Sequence, residues 1–341
     1  MINQTRERRI LSGKEILITG GTGTLGKALL KELSGYPLKG LRILSRDEFK
    51  QWKMKSEMKA ELEKAGFPVA FFIGDVRDNK RLLQAFEGVD IVIHTAAMKQ
   101  VPACEDNPFE SIRTNILGTE NVCAAAIERE VKHVMFISTD KAVYPINLYG
   151  SCKSVAEKTV IRSNVYSPHV TKFNVCRYGN VLGSRGSVVQ LFQEQLEKGL
   201  PLTITSKEMT RFWITSKFMA SFIIKSICED TKGVIFVPFM KSASLMQLMG
   251  VVQKNHTRKE DSFLEIKEIG IRKGEKLHEC LITEEEMETL KMNDFAFMLP
   301  DAELSEIRRK FISPLFKEPF TSNHPEVLTL TDDELEAMIN E

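Results

Sequence analysis

EILITGGTGTLGKALLKEL, residues 15–33, decides the fold. It opens as an apolar run of strand length and closes as a segment of helical spacing, with Gly35 as a stop. Between the two lies a glycine turn. Glycines there permit a tight bend and let backbone approach a pyrophosphate, while the following helix offers free N–H groups and the positive end of its dipole. A bare glycine pattern is weak, but a strand before it and a helix after it make a dinucleotide-binding signature. Gly20, Thr22, Gly23, Thr24, Leu25 and Gly26 are assigned to that contact.

Outward from this stretch the alternation repeats. Strands are expected at 41–44, 69–73, 90–94, 134–138 and around Val175, with helical patterns between them, for example Thr114 to Glu128. Apolar strands separated by helices imply an α/β, doubly wound parallel sheet covered on both faces. After Val181 the pattern loosens into short strands (202–205, 233–238, 265–269) and helices such as 216–229. The expected organisation is a dinucleotide-binding Rossmann domain over 1–180, to which 209–240 returns, and a smaller interleaved substrate lobe over 181–208 and 241–341. The tail, 328–341, reads as an acidic amphipathic helix capped by Thr331, for docking or dimerisation.

Composition narrows the function classes. Lys+Arg total 47 against 46 Asp+Glu, and a formal charge of +1 argues against a nucleic-acid partner. No apolar run approaches the roughly 20 residues of a membrane span, and the charged N-terminus has no secretory character. Six widely spaced cysteines without CxxC speak against a disulfide framework, and a reducing cytoplasm fits them. No histidine pair has metal-ligand spacing, so no metal is expected; His94 is read as a packed or hydrogen-bonded strand end and His278 as a helix start.

The second strand ends SRDEFK (45–50), where dinucleotide binders select the nucleotide. Arg46, with Ser45 and Lys50, suits a 2′-phosphate, which favours NADP, while Asp47 keeps NAD open. Asp75 and Val76, after the third strand, are placed at the adenine. Tyr149 and Lys153 form a YxxxK whose members share a helical face. A nearby ammonium lowers a tyrosine's pKa, so Tyr149 can take a proton from a substrate alcohol while hydride leaves its carbon. Thr139 can hydrogen-bond the same oxygen.

With these residues in place the chain resembles the extended, sugar-nucleotide branch of the short-chain dehydrogenase/reductases. Ser138-Thr139-Asp140-Lys141 narrows the resemblance, together with HTAAMKQVPACEDNP (94–108), TDKAVYPINLYG (139–150), RYGNVLGSRGSV (177–188), MTRFWI (209–214) and IGIRKGEKLHE (269–279). These look like the soluble inverting UDP-N-acetylglucosamine 4,6-dehydratases, which commonly form homo-oligomers. Tyr149, where a membrane-anchored retaining branch has methionine, also points to the soluble type. The resemblance implies that Tyr149 is the base at the C4 hydroxyl, Lys141 the base at C5 and Asp140 the acid at the C6 hydroxyl. It implies substrate contacts at Lys141, Asn180, Val188, Thr203, Arg272 and Glu275. It also implies cofactor contacts at Thr95, Lys99, Lys153, Val181, Leu182, Gly183, Ser184 and Arg185. Arg272 suits phosphate and Glu275 ribose hydroxyls. Tyr144 departs from the family pattern where a small or amide residue is usual, and Lys273 where a proline is.

Asp140 must be protonated to serve as an acid and Lys141 neutral to serve as a base, whereas a close ion pair favours the opposite states. The expectation is therefore that the backbone leaves strand geometry near Thr139 and that the two side chains do not pair.

Overall fold

A computed structural model describes residues 2–184, 186–256, 265–301, 303–304 and 318–341. The expected strands form β1 (Glu15–Thr19), β2 (Gly40–Ser45), β3 (Val69–Ile73), β4 (Ile91–His94), β5 (His133–Ile137) and β6 (Lys172–Cys176). Shorter strands follow: β7 (Asn180–Val181), β8 (Leu202–Ile204), β9 (Thr210–Ile214), β10 (Val234–Pro238), β11 (Lys241–Ser244), β12 (Ile266–Glu268), β13 (Cys280–Ile282), β14 (Lys291–Met292), β15 (Ala296–Pro300) and β16 (Phe320–Thr321).

The large sheet runs β14-β15-β10-β6-β5-β4-β1-β2-β3. From β10 to β3 every pairing is parallel, and the antiparallel pair β14–β15 closes one edge. Side chains alternate across a strand, so each central strand feeds two cores. Ile16 and Ile18 enter one core with Leu29, Leu30 and Met135; Leu17 enters the other with Val92, Val134 and Phe136. This two-sided burial is why the strands read as unbroken apolar runs. A third core, with Phe192, Leu202, Trp213, Leu248 and Leu335, lies in the smaller lobe.

Local differences from the sequence pattern have local causes. The helix expected from Thr114 begins as a π turn, Arg113–Leu117, before the α-helix Gly118–Glu128. There Asn115 turns aside to clamp the Met98 backbone, accepting from its N–H and donating to its carbonyl at 2.8 Å each. β9 pairs with β7 and β11 in a small sheet, whereas β10 and β15 join the large one. His278 opens no helix: it bridges β9 at Thr210, whose hydroxyl lies 2.8 Å from its Nδ1. The tail helix Asp332–Asn340 has a Thr331/Glu334 capping box and buries Leu335 within the same chain. Among the described residues no helix is long and apolar enough to cross a membrane.

Candidate active site

At the dinucleotide end, β1 delivers Thr19 to the glycine turn. Gly20 has φ +66°, and a Cβ there would stand 2.8 Å from the Ala96 backbone; only glycine meets both demands. The helix Thr24–Leu33 starts behind Gly23 with no side-chain cap, so its first N–H groups remain available to an anion. The loop after β4 is tied to this turn. Thr95 Oγ1 donates to the Thr19 carbonyl at 2.7 Å, and His94 Nδ1 lies 2.7 Å from Thr19 Oγ1. Thr95, implied as a cofactor contact, thus ties its loop to the turn through its hydroxyl proton. His94 is buried between Thr19 and Thr119, and burial, then the Lys153 charge, lowers its pKa to about 3, so it is neutral.

At the end of β2 the charges are sorted. Asp47 caps the helix Glu48–Glu57 by accepting from Lys50 N–H and also pairs with Lys50 Nζ at 2.8 Å. Ser45 is buried, its hydroxyl accepting from Gln51 at 3.1 Å. Asp75, expected at the adenine, is held by Arg77 at 2.7 and 3.0 Å; these bonds outweigh burial and keep its carboxyl below the usual range. Val76 packs under Gly118. Arg46 is exposed, with Asp75 at 3.7 Å.

At the chemistry end, β5 stops at Ile137 and Thr139 caps a single 3₁₀ turn, Asp140–Ala142. The backbone leaves strand geometry where expected. The side chains, however, pair: Lys141 Nζ lies 2.9 Å from Asp140 Oδ1 and 3.2 Å from Glu279 Oε1. The 3₁₀ turn, which replaces the opposed directions of a strand, is what lets neighbours meet. Burial raises the Asp140 pKa, and nearby Glu279 adds to the rise, against the pull of Lys141. Burial alone would lower Lys141, but Asp140 and Glu279 hold it above its ordinary value.

Tyr149 opens the helix Leu148–Tyr166, which comes so close to the turn that a Cβ on Gly150 would stand 2.1 Å from the Lys141 carbonyl oxygen. Burial, helped by Asp140, raises Tyr149 to about 12 against the opposing influence of Lys141 and the Thr139 hydrogen bond. The expected lowering by Lys153 is absent. Lys153 donates instead to the Ile137 carbonyl at 2.5 Å and sits 4.0 Å over the Phe136 ring, and burial lowers its pKa to about 7 against Glu157. Tyr144, the departure noted above, has φ +43°, a conformation that favours glycine or asparagine. Its hydroxyl accepts from Glu284 N–H at 3.1 Å, which anchors the turn.

The segment 272–279 lies across this turn. Asn147 Nδ2 donates to the Gly274 carbonyl at 2.8 Å, and Lys276 Nζ to Val143 at 2.5 Å. Buried Arg211 donates to the carbonyls of Lys276 and Leu277 at 2.8 and 3.0 Å. Glu275 accepts from Arg272 N–H at 3.2 Å, and the Arg272 side chain is left in the open. Asn180 Oδ1 is buried with no hydrogen-bond partner. Val188 starts the helix Val188–Glu197. The Thr203 hydroxyl accepts from Gln195 Nε2 at 2.8 Å. Leu182 is buried beside β9, Gly183 and Ser184 continue its turn, and Lys99 is exposed on the loop after β4. Arg185 lies outside the described residues. Glu279, Arg211 and Asn115 were missed from sequence. Glu279 closes the stretch IGIRKGEKLHE, but nothing in its spacing points to Lys141.

The chain is 41% identical over 306 residues to the UDP-N-acetylglucosamine 4,6-dehydratase (inverting) of Campylobacter jejuni, covering 89% of this chain and 87% of that one. It is 43% identical over 279 residues to the UDP-glucose 4-epimerase of Rickettsia conorii, covering 80% and 79%. Pen from Bacillus thuringiensis, a solved structure, superposes with a TM-score of 0.87 at 33% identity over 97% and 98% of the two chains. The model of one family matches residues 16–300. The chain belongs to that family, the polysaccharide biosynthesis proteins.

Proposed function

We propose that this protein is a 4,6-dehydratase that removes water from UDP-N-acetylglucosamine, inverts C5 and uses NADP. The observation that carries the reading is the pairing of buried Asp140 with part-exposed Lys141 beside Tyr149. A C4 epimerase needs neither an acid at O6 nor a base at C5. The likeness to a named inverting dehydratase supports the same reading.

The uncapped helix start at Gly23 fits a pyrophosphate. NADP held there would supply a hydride acceptor for C4 and, once reduced, a hydride donor for C6. The chain's own residues handle protons. Tyr149 and Thr139 address the C4 hydroxyl, and Arg272, Glu275 and Asn180 hold the nucleotide end of the substrate.

The Asp140–Lys141 contact resolves the conflict stated above. Moving one proton along the 2.9 Å contact from ammonium to carboxylate produces a carboxylic acid and an amine, the two forms elimination needs. Burial works for this form, since it raises Asp140 and by itself would lower Lys141, against the pull of the paired charges. Lys141 then takes the C5 proton while Asp140 gives its proton to the departing hydroxyl. That step regenerates the resting ion pair.

Product analysis in deuterated water tests the reading. A product lighter by one water, with deuterium at an inverted C5, is expected. Recovery of an epimer of unchanged mass would instead favour the second reading, which the Rickettsia relative represents.

NADP is favoured over NAD because Asp47 is occupied by its helix cap and by Lys50, while Arg46 is exposed. Arg46→Ala is expected to weaken NADP binding by about 10–100-fold, the scale of a hydrogen bond to a charged group, and to leave NAD nearly unchanged. Equal losses in titrations with the two nucleotides would remove the argument.

A further inference from the structure

We infer that Glu279 is the positioning residue for Lys141, holding its amine in place while Asp140 carries the proton. The inference rests on the dehydratase reading and extends it to a residue outside the Thr139/Asp140/Lys141/Tyr149/Lys153 set.

Glu279 is 2% exposed and stands just before β13. Its backbone is fixed on both sides: its N–H donates to Ser322 Oγ at 3.1 Å, and its carbonyl accepts from Ser322 N–H at 2.8 Å. Its carboxylate therefore has little freedom to drift, and Oε1 lies 3.2 Å from Lys141 Nζ. Oε2 is buried with no hydrogen-bond partner. Lys276 Nζ stands 3.6 Å from it, with its ammonium bonded to the Val143 carbonyl. A buried carboxylate left half unsatisfied is costly, which is a poor bargain for packing alone.

The groups facing Lys141 come from several elements. Asp140 comes from its own turn, Glu279 from the segment before β13, Arg211 from β9 and Tyr149 from its helix, with Lys276 behind Glu279. When Lys141 passes its proton to Asp140, the ion pair between those two disappears. Glu279 then still accepts an N–H of the amine, which keeps Nζ in place and leaves its lone pair for the C5 proton. The negative charge of Glu279 also raises the proton affinity of the amine, making it a stronger base at the moment of abstraction.

Glu279→Gln tests this in a single turnover of the NADP-loaded enzyme. C4 oxidation is expected to stay within about twofold, and water loss to slow by about 10². Reduced nicotinamide then accumulates in the near-ultraviolet, and a 5-deuterated substrate shows a larger isotope effect than with the unaltered enzyme. Equal slowing of oxidation and elimination would reveal a merely structural residue and overturn the inference, as would unaltered elimination. Glu279→Asp keeps the charge but withdraws it from Nζ. It is expected to accumulate reduced nicotinamide to a lesser degree. If Glu279→Gln does not fold, unaltered kinetics in Glu279→Asp overturn the inference. Absence of water loss in the unaltered enzyme would sink the dehydratase reading itself, a separate outcome.

Discussion

Lys141→Ala is expected to eliminate water about 10²–10⁴-fold more slowly than the unaltered protein, the range lost when a positioned proton-transfer group is removed, yet to fold and to bind the nicotinamide cofactor. Asp140→Asn behaves likewise. The separation follows from placement. The pair sits on the 3₁₀ turn after β5, whereas the glycine turn and Arg46 follow β1 and β2. Product analysis measures elimination, and nucleotide titration measures binding. Outright loss of nucleotide in either variant would contradict this division of labour.

Lys141→Ala also has a stability signature. In the unaltered chain the Lys141 pKa is raised, so its contribution is full below the ordinary value of 10.5 and disappears as pH rises through the higher native value. The Glu279 pKa is lowered, because Lys141, Arg211 and Lys276 outweigh burial. Its contribution is full above 4.5 and disappears as pH falls through the lower native value. Without Lys141, two buried carboxylates face each other with less compensation, so the variant should lose stability at neutral pH and recover part of it on acidification. Asp140→Asn removes the carboxylate whose pKa is raised by burial and should show no such recovery.

The sheet was legible because its central strands are buried on both faces. Ile16, Leu17 and Ile18 serve two different cores, and burial on both sides leaves an uninterrupted apolar run. The glycine turn and the Tyr149/Lys153 pair could be picked out because their chemistry demands particular residue types at short spacing, whereas the roles given to Asp140 and Lys141 came from the family resemblance. What escaped depends on distant contacts. Glu279 reaches Lys141 across 138 positions of chain, and no periodicity encodes that meeting. β15 joins the large sheet antiparallel to β10, a pairing between strands far apart in sequence that no local pattern announces. The break from strand geometry near Thr139 was foreseen, but the Asp140–Lys141 pairing was misjudged, because the 3₁₀ turn that follows brings the two side chains together. Lys153 was expected to act on Tyr149, but the nearby Ile137 carbonyl and Phe136 ring hold its ammonium.

Arg177→Met should lower stability by about 3–5 kcal/mol, the cost of leaving a buried ion-pair partner alone. Arg177 is 3% exposed and follows β6. Its guanidinium meets Glu157 of the Tyr149 helix at 2.7 and 3.0 Å, Glu286 at 2.8 Å twice, and the Leu281 carbonyl at 3.0 Å. Glu286 belongs to the helix Glu284–Thr289, whose capping box with Thr283 it also completes. One side chain therefore ties the helix that carries Tyr149 to the segment that follows Glu279. At roughly 2.1 cal/mol/K per residue, 341 residues give an unfolding entropy of about 0.7 kcal/mol/K, so the loss corresponds to about 4–7 °C in Tm. Acid should reproduce part of the effect in the unaltered protein. Arg177 outweighs burial and holds Glu286 below its ordinary 4.5, so that contribution is present above 4.5 and lost as pH falls through the lower native value. A second substitution, Glu157→Leu, removes the buried charge that Arg177→Met abandons. Because apolar replacements of buried ion pairs are often tolerated, the double variant should melt above the single one. A double variant that melts lower still would mean that Glu157 holds the helix by contacts other than Arg177.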